Sequence, residues 1–261
     1  MTNGRFGLPR DNGNPGDNGG QPHGDGSPFG SSPQPMPDAP EEEIHLQIRG
    51  VRAHESDEAG WVEIDLDTTR GEIKLIMAVH EGGSGVAIFL GGAGGGDRGP
   101  AGELYVRLGS ELAAAGISAV RVKYRMPGEL EECVADSMAA CSFLKAFGAQ
   151  KVVFVGHSFG GAVAVKAGEL TPLSTAVCAM STQRYGTYQV EQLGKPLLLI
   201  HGSRDEILDK AASEDVYQRA QEPKELVILE GGGHGLQEHQ DQVFDLVRAF
   251  VLRHTAAASP A

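Results

Sequence analysis

At 261 residues and a formal net charge of −13, the chain holds one sizeable core or at most two small ones. Its acidic residues are spread out and its lysines and arginines form no cluster, which argues against a nucleic-acid partner, because phosphate binding needs a basic footprint. No apolar run approaches the roughly 20 residues that span a bilayer, and the first residues, MTNGRFGLPRDNGNPGDNGG, lack the apolar stretch of a signal peptide; a soluble cytoplasmic protein with no membrane partner is expected.

Residues 1–43 are dominated by Gly, Pro, Asn, Asp and Ser, with almost no branched apolar side chains. Such a segment cannot bury enough surface to offset its ordering entropy, so it is expected to be a disordered solubilising or linker tail. The texture changes at Ile44. IHLQIRGV and WVEIDLDTT alternate apolar and polar residues as half-exposed strands do, and EIKLIMAVH follows a hairpin turn expected at Arg70-Gly71. Thereafter the runs are continuously apolar: GVAIFLGG, AVRVKYR, KVVFVGHS, TAVCAMST, PLLLIHGS and ELVILEG. Short runs of this kind fit strands buried on both faces of a parallel sheet.

Helices are expected between most of these runs, over 102–115, 129–147, 159–168, 209–221 and 237–254. Ala139, Ala140, Phe143, Leu144 and Phe147 give the second of them a one-sided apolar face. Cys133 and Cys141 share that helix about two turns apart, too far along its axis to bond, and Cys178 makes the count odd. No disulfide framework is expected, which favours a reducing compartment. Antiparallel strands followed by repeated strand–helix units predict one α/β domain over 44–254, with helices on both faces of its sheet and a flexible tail over 255–261.

Within GHSFGG the pattern Gly-x-Ser-x-Gly runs from Gly156 to Gly160, where the strand KVVFV passes into the helix GGAVAVKAGEL. The turn forces strained backbone at Ser158 and brings helix and strand close, so side chains at Gly156 and Gly160 would collide. The Ser158 hydroxyl then projects at a helix N-terminus, where the dipole favours developing negative charge. Serine is a poor nucleophile until a base takes its proton, and a histidine base needs a carboxylate to fix its tautomer.

Position discriminates among the nine histidines. His234 lies in EGGGHGL, a flexible loop after the strand ELVILEG and before the last helix, and is the expected base. His157 adjoins the serine and is read as packing around the turn; His201, at the end of a strand, is read as buried and hydrogen-bonded. Asp205 follows PLLLIHG by Ser203-Arg204, which puts a carboxylate at the carboxyl end of a parallel strand, where α/β sheets carry their sites. Glu206 and Asp209 are its rivals, although Asp209 reads as a cap of the next helix; Asp136 reads as structural. Two donors must receive the oxyanion: the N–H of Phe159, after the nucleophile, and one from the loop GGAGGGDRGP, for which Gly92 is the choice and Ala93 the next. Losing one such donor costs about 3 kcal/mol, roughly a hundredfold in rate.

Ser158, Asp205 and His234, in that chain order and on those strand ends, resemble the α/β-hydrolase family over about 44–254. The resemblance implies an eight-stranded, mostly parallel sheet with its second strand antiparallel, and hydrolysis of an ester, thioester or amide through an acyl-serine. Many members carry His-Gly where this chain has Leu90-Gly91, so the anchoring of the oxyanion loop is expected to differ. Only QRYGTYQVEQLGK separates TAVCAMST from PLLLIHG, which leaves no room for a helical cap. An open site follows, closer to dienelactone-hydrolase-like and carboxylesterase-like domains than to capped relatives, with Tyr185 and Tyr188 either lining it or packing on the surface.

Other classes fit less well. Gly94 to Gly99 formally matches the dinucleotide pattern G-x-G-x-x-G, but it starts beyond the strand end, precedes Pro100 and lacks an acidic ribose partner. No Gly-Lys-Ser/Thr and no closely spaced His or Cys set is present, so neither a cofactor nor a metal is expected. The expected partner is a small-molecule ester or thioester substrate. A peptidase or amidase of the same fold, and a hydrolase-like protein that only binds, are the alternatives.

Overall fold

The computed structural model describes residues 5–6 and 44–256; the rest of the expected 1–43 tail, and 257–261, lie outside the described residues. In chain order, β1 (Arg5–Phe6) pairs antiparallel with β2 (Ile44–His45) as a short separate ribbon. The main sheet begins with β3 (Ile48–Glu55), β4 (Val62–Thr68) and β5 (Gly71–Ala78). The strand–helix units follow: β6 (Gly85–Leu90), α1 (Pro100–Ala114), β7 (Ser118–Lys123), α2 (Leu130–Ala146), β8 (Lys151–His157) and α3 (Phe159–Leu170). The last part is β9 (Ser174–Met180), β10 (Leu197–Gly202), α4 (Ala211–Arg219), β11 (Lys224–Leu229) and α5 (Gln240–Thr255).

The sheet order is β11-β10-β9-β8-β6-β7-β5-β4-β3. Neighbours from β11 to β7 are parallel and those from β7 to β3 antiparallel. All nine runs read from the sequence are therefore strands, one more than the eight of the family pattern. The additional strand is β3: it pairs only with β4, and its mostly exposed side chains need nothing packed on them. The β4–β5 hairpin turns at Thr69-Arg70, and Thr68 is paired with Gly71. Four of the five helices begin or end within about two residues of expectation, while α5 starts later, after a 3₁₀ turn over Gln237–His239.

The central strands are buried on both faces, every residue of β6 and β10 included. One face packs on α2 and α3 through residues such as Ile88, Phe154, Val163 and Met138; the other packs on α1 and α5 through Phe89, Tyr105, Leu108 and Val247. Burying a Leu, Ile or Phe side chain contributes about 1.5–3 kcal/mol, so these two layers hold the strand ends in fixed relation. Cys133, Cys141 and Cys178 are free and buried in these cores. Among the described residues no helix is long and apolar enough to cross a membrane, and no cluster of His, Cys, Asp or Glu has the form of a metal site. The connection from β9 to β10 holds a single 3₁₀ turn (Val190–Gln192) and no cap.

Candidate active site

Ser158 stands at the end of β8 with φ 57° and ψ −122°, a conformation that costs a non-glycine residue of order 1–3 kcal/mol. Neighbouring glycines make it possible. A Cβ at Gly156 would overlap the Gly160 carbonyl, and one at Gly160 would overlap the carbonyl oxygens of Leu90 and Gly91. The turn is held by Ser158 N–H donating to Met180 O at 2.8 Å, across to β9. Phe159 is the first residue of α3, so its N–H has no acceptor within the helix.

Gly92 faces this turn. A Cβ built on it would lie 3.8 Å from Ser158 Cβ, which puts the expected oxyanion loop beside the serine. With Leu90 in place of a histidine, the loop is anchored in another way. Tyr105, fully buried and stacked on Phe89 with ring centroids 4.7 Å apart, donates its hydroxyl to Leu90 O at 3.0 Å. Tyr105 N–H donates to Arg98 O at 3.1 Å. Below the loop, the fully buried Arg121 places its guanidinium over the Trp61 ring, 4.2 Å from the centroid. It pairs with Glu58 at 2.8 Å and lies 3.6 Å from Asp97, while Glu58 also binds Arg98 at 2.8 Å.

A carboxylate–imidazole pair forms beyond the end of β10. Asp205 Oδ1 accepts from the N–H groups of Ile207 (2.9 Å) and Leu208 (2.8 Å). Its Oδ2 lies 2.8 Å from His234 Nδ1 and 3.1 Å from His201 Nε2. Burial pushes the Asp205 carboxyl up, but the Leu208 amide, the His234 ring and the Ile207 amide more than offset it and hold the group below its ordinary value. An ionised Asp205 accepts a hydrogen bond from His234 Nδ1–H, which leaves Nε2 as the unprotonated nitrogen. His201, fully buried, meets two acceptors at Nε2, since Leu208 O is 2.9 Å away; Ser213 Oγ is 2.7 Å from its Nδ1. Asp209 accepts from Ala211 N–H ahead of α4, as expected of a cap, and leaves Asp205 as the carboxylate on His234.

His234 follows β11 in a loop that the end of β10 approaches closely: a Cβ at Gly202 would overlap the Gly232 carbonyl. The structure thus joins His234 to Asp205 directly. Ser158 makes no hydrogen bond to His234. One reading of a single residue changes. His157 does more than pack: its Nε2 lies 2.8 Å from the His234 carbonyl, joined there by Ser181 Oγ at 3.1 Å. Arg125 is held by Asp136, Glu132 and the Arg70 carbonyl. Asp136, fully buried, is structural as expected. Tyr185 and Tyr188 remain exposed, their rings edge to face at 6.5 Å. The adjacency of His157 to Ser158 was the only sequence signal for its role, because its acceptor lies 77 residues away.

Nine strands in this order, a strained serine between strand and helix, and an Asp–His pair on later strand ends decide the architecture. The fold is that of an α/β-hydrolase. Solved structures match it closely: Est1E from Butyrivibrio proteoclasticus superposes with a TM-score of 0.66 at 16% identity, covering 75% of this chain and 99% of that one. Dienelactone hydrolase from Anabaena variabilis gives 0.66 at 19% identity, covering 74% and 97%. A family model described as serine aminopeptidase, S33 matches residues 168–241, a span that contains Asp205 and His234 but not Ser158. Among curated proteins, human alpha/beta hydrolase domain-containing protein 17B is 32% identical over 63 residues, 24% of this chain. The match spans only 22% of that protein's length. Uncharacterized protein Rv2307c of Mycobacterium tuberculosis is 27% identical over 203 residues, covering 65% of this chain and 71% of that protein.

Proposed function

We propose that the protein is a serine hydrolase that cleaves a carboxylic ester or thioester of a small substrate through an acyl-serine intermediate. The observation that carries this reading is the 2.8 Å contact between Asp205 Oδ2 and His234 Nδ1, on the same sheet edge as the strained Ser158. His234 Nε2 takes the Ser158 proton as Oγ bonds to the substrate carbonyl carbon. The carbonyl oxygen becomes an anion received by the N–H groups of Phe159 and Gly92. Collapse breaks the bond to the alcohol or thiol, which leaves with the proton from His234. Water, deprotonated by the same imidazole, then frees the acid and restores Ser158. Asp205 keeps its charge throughout and steadies the imidazolium. No cofactor or metal enters these steps.

The absence of a cap between β9 and β10 supports small, openly bound substrates, and an apolar acyl pocket separates neighbouring chain lengths by only about 1–3 kcal/mol per methylene. The matched description, serine aminopeptidase, favours a second reading in which the scissile bond is a peptide amide. A screen of p-nitrophenyl esters, thioesters and aminoacyl amides, with Ser158→Ala as control, separates the two. Ester or thioester turnover that vanishes in the variant is the expected result; turnover of amides alone supports the second reading, and activity unchanged by Ser158→Ala contradicts both.

A further inference from the structure

The loop that carries His234 is tied at two successive carbonyls. The Gly235 carbonyl accepts Ala101 N–H at 2.7 Å, from the start of α1 where the oxyanion loop ends. The His234 carbonyl accepts twice: His157 Nε2 lies at 2.8 Å and Ser181 Oγ at 3.1 Å. These donors come from the start of α1, the end of β8 and the residue just after β9. Each donor sits in unusual backbone or beside it, since Ala101, Ser158 and Ser181 all have positive φ. Strain at such positions persists only where surrounding contacts over-determine it.

The His157 contact is the one that couples the two reacting side chains. His157 and Ser158 are consecutive, so the imidazole is rigidly placed by the same turn that sets the Ser158 hydroxyl. Its hydrogen bond ends on the backbone of His234 itself, and the two imidazoles lie with centroids 4.8 Å apart. A carbonyl can only accept, so Nε2 of His157 carries the proton. Burial pushes His157 down to about 4, against the pull of the His234 carbonyl and with the His234 ring adding to the effect. The ring therefore stays a neutral single donor wherever an imidazole base can work.

Resting on the hydrolase reading above, we propose that His157 is a positioning residue that fixes the backbone of His234 relative to Ser158. It touches no substrate in this role. It sets how far His234 Nε2 stands from Ser158 Oγ, a distance on which proton transfer depends steeply: a misplacement of about 1 Å can cost 10²-fold. The Ser181 hydroxyl shares the same acceptor and supports the same loop, so its removal has a smaller effect than that of His157.

The test uses the full chain and one ester substrate, with rates divided by the concentration of sites titrated with a fluorophosphonate. His157→Leu removes the donor at little cost in volume; His157→Gln keeps an amide N–H near the Nε2 position. The expected result is a kcat about 10- to 100-fold lower in His157→Leu with KM changed less than twofold, and recovery to within about fivefold of the parent in His157→Gln. Ser181→Ala should lower kcat by less than His157→Leu does, and it also reads the carbonyl tie should His157→Leu fail to fold. A kcat per titrated site equal to the parent in His157→Leu, or an equal loss in the Leu and Gln variants, overturns the proposal. If Ser158→Ala is active as well, the hydrolase reading itself has failed; if it is inactive, only the role of His157 has.

Discussion

The two ends of the parallel strands differ in kind. At the carboxyl ends, all five positive-φ non-glycine residues among the described ones are gathered: Ala101, Glu103, Ser158, Ser181 and Leu236. Ala101, Gly102 and Glu103 form a left-handed turn in succession, at a cost of roughly 1–2 kcal/mol for each residue with a Cβ. Here too lie the Asp205–His234 pair and the glycines that let backbones touch. At the amino ends lies a cavity of about 580 Å³ between β3–β5 and the end of α2, lined by Val51, Val62, Met77, Phe143 and Phe147 among others. Its mouth exposes Phe147 (73%) and Val79 (50%), with no non-glycine positive φ among its lining residues. The amino end obeys the ordinary rules of packing. The carboxyl end breaks local rules that the rest of the fold must offset.

The largest expected effect falls on the acid arm. Asp205→Asn keeps the shape but no longer holds His234 with Nε2 as the base, and should lower kcat by about 10⁴-fold, with the ester assay as the readout. A loss under tenfold would remove the acid arm from the mechanism. Next comes the oxyanion loop's anchor. Arg121→Met removes the stack on Trp61 and one of the two arginine partners of Glu58, leaving Arg98, for an expected cost of about 1–2 kcal/mol in unfolding free energy. Denaturant titration measures it, and no loss would mean that the loop does not depend on this ion pair.

Of similar size is a pH effect from His157. Its folded value of about 4 lies below the ordinary 6.5, so the unfolded chain takes up the proton first. The stability this group contributes is complete above pH 6.5 and is lost as pH falls toward 4, by at most about 1.4 kcal/mol per pH unit. In that range His157→Gln should show a shallower fall than the parent, with His234, Asp205 and His201 still facing the site. Equal slopes would show that His157 is not held neutral. The smallest effect sharpens the contrast between the ends: Phe147→Ser, at the cavity mouth, should leave kcat and KM within about twofold and change stability by no more than about 0.5 kcal/mol. A clear change in ester turnover would couple the two ends.

Much of this was legible in the chain because strong local signals carried it. Alternating runs and then continuous apolar runs announced the strands of the main sheet, and Gly156, Gly160 and the strand–helix context announced the strained turn at Ser158. Asp205 and His234 followed from their places just after strands. What escaped were contacts between loops far apart in sequence, such as His157 with His234 and Arg121 with Glu58. Periodicity says nothing about a hydrogen bond between two loops, and a buried arginine in SAVRVK differs from an exposed one only in what another segment places over it. The left-handed turn at Ala101–Glu103 was hidden for a related reason. Pro-Ala-Gly-Glu reads as an ordinary helix start, and only the pull of the Gly235 carbonyl on Ala101 reveals otherwise.

The central claim is that Ser158 is the reacting nucleophile, activated through His234 and Asp205. Intact-mass spectrometry after treatment with an alkyl fluorophosphonate tests it most directly, because the reagent bonds only to an activated hydroxyl and stays attached. The account predicts one adduct per chain on the parent protein, mapped to Ser158 and absent from Ser158→Ala. An unmodified parent, or an adduct that persists in Ser158→Ala, would contradict it.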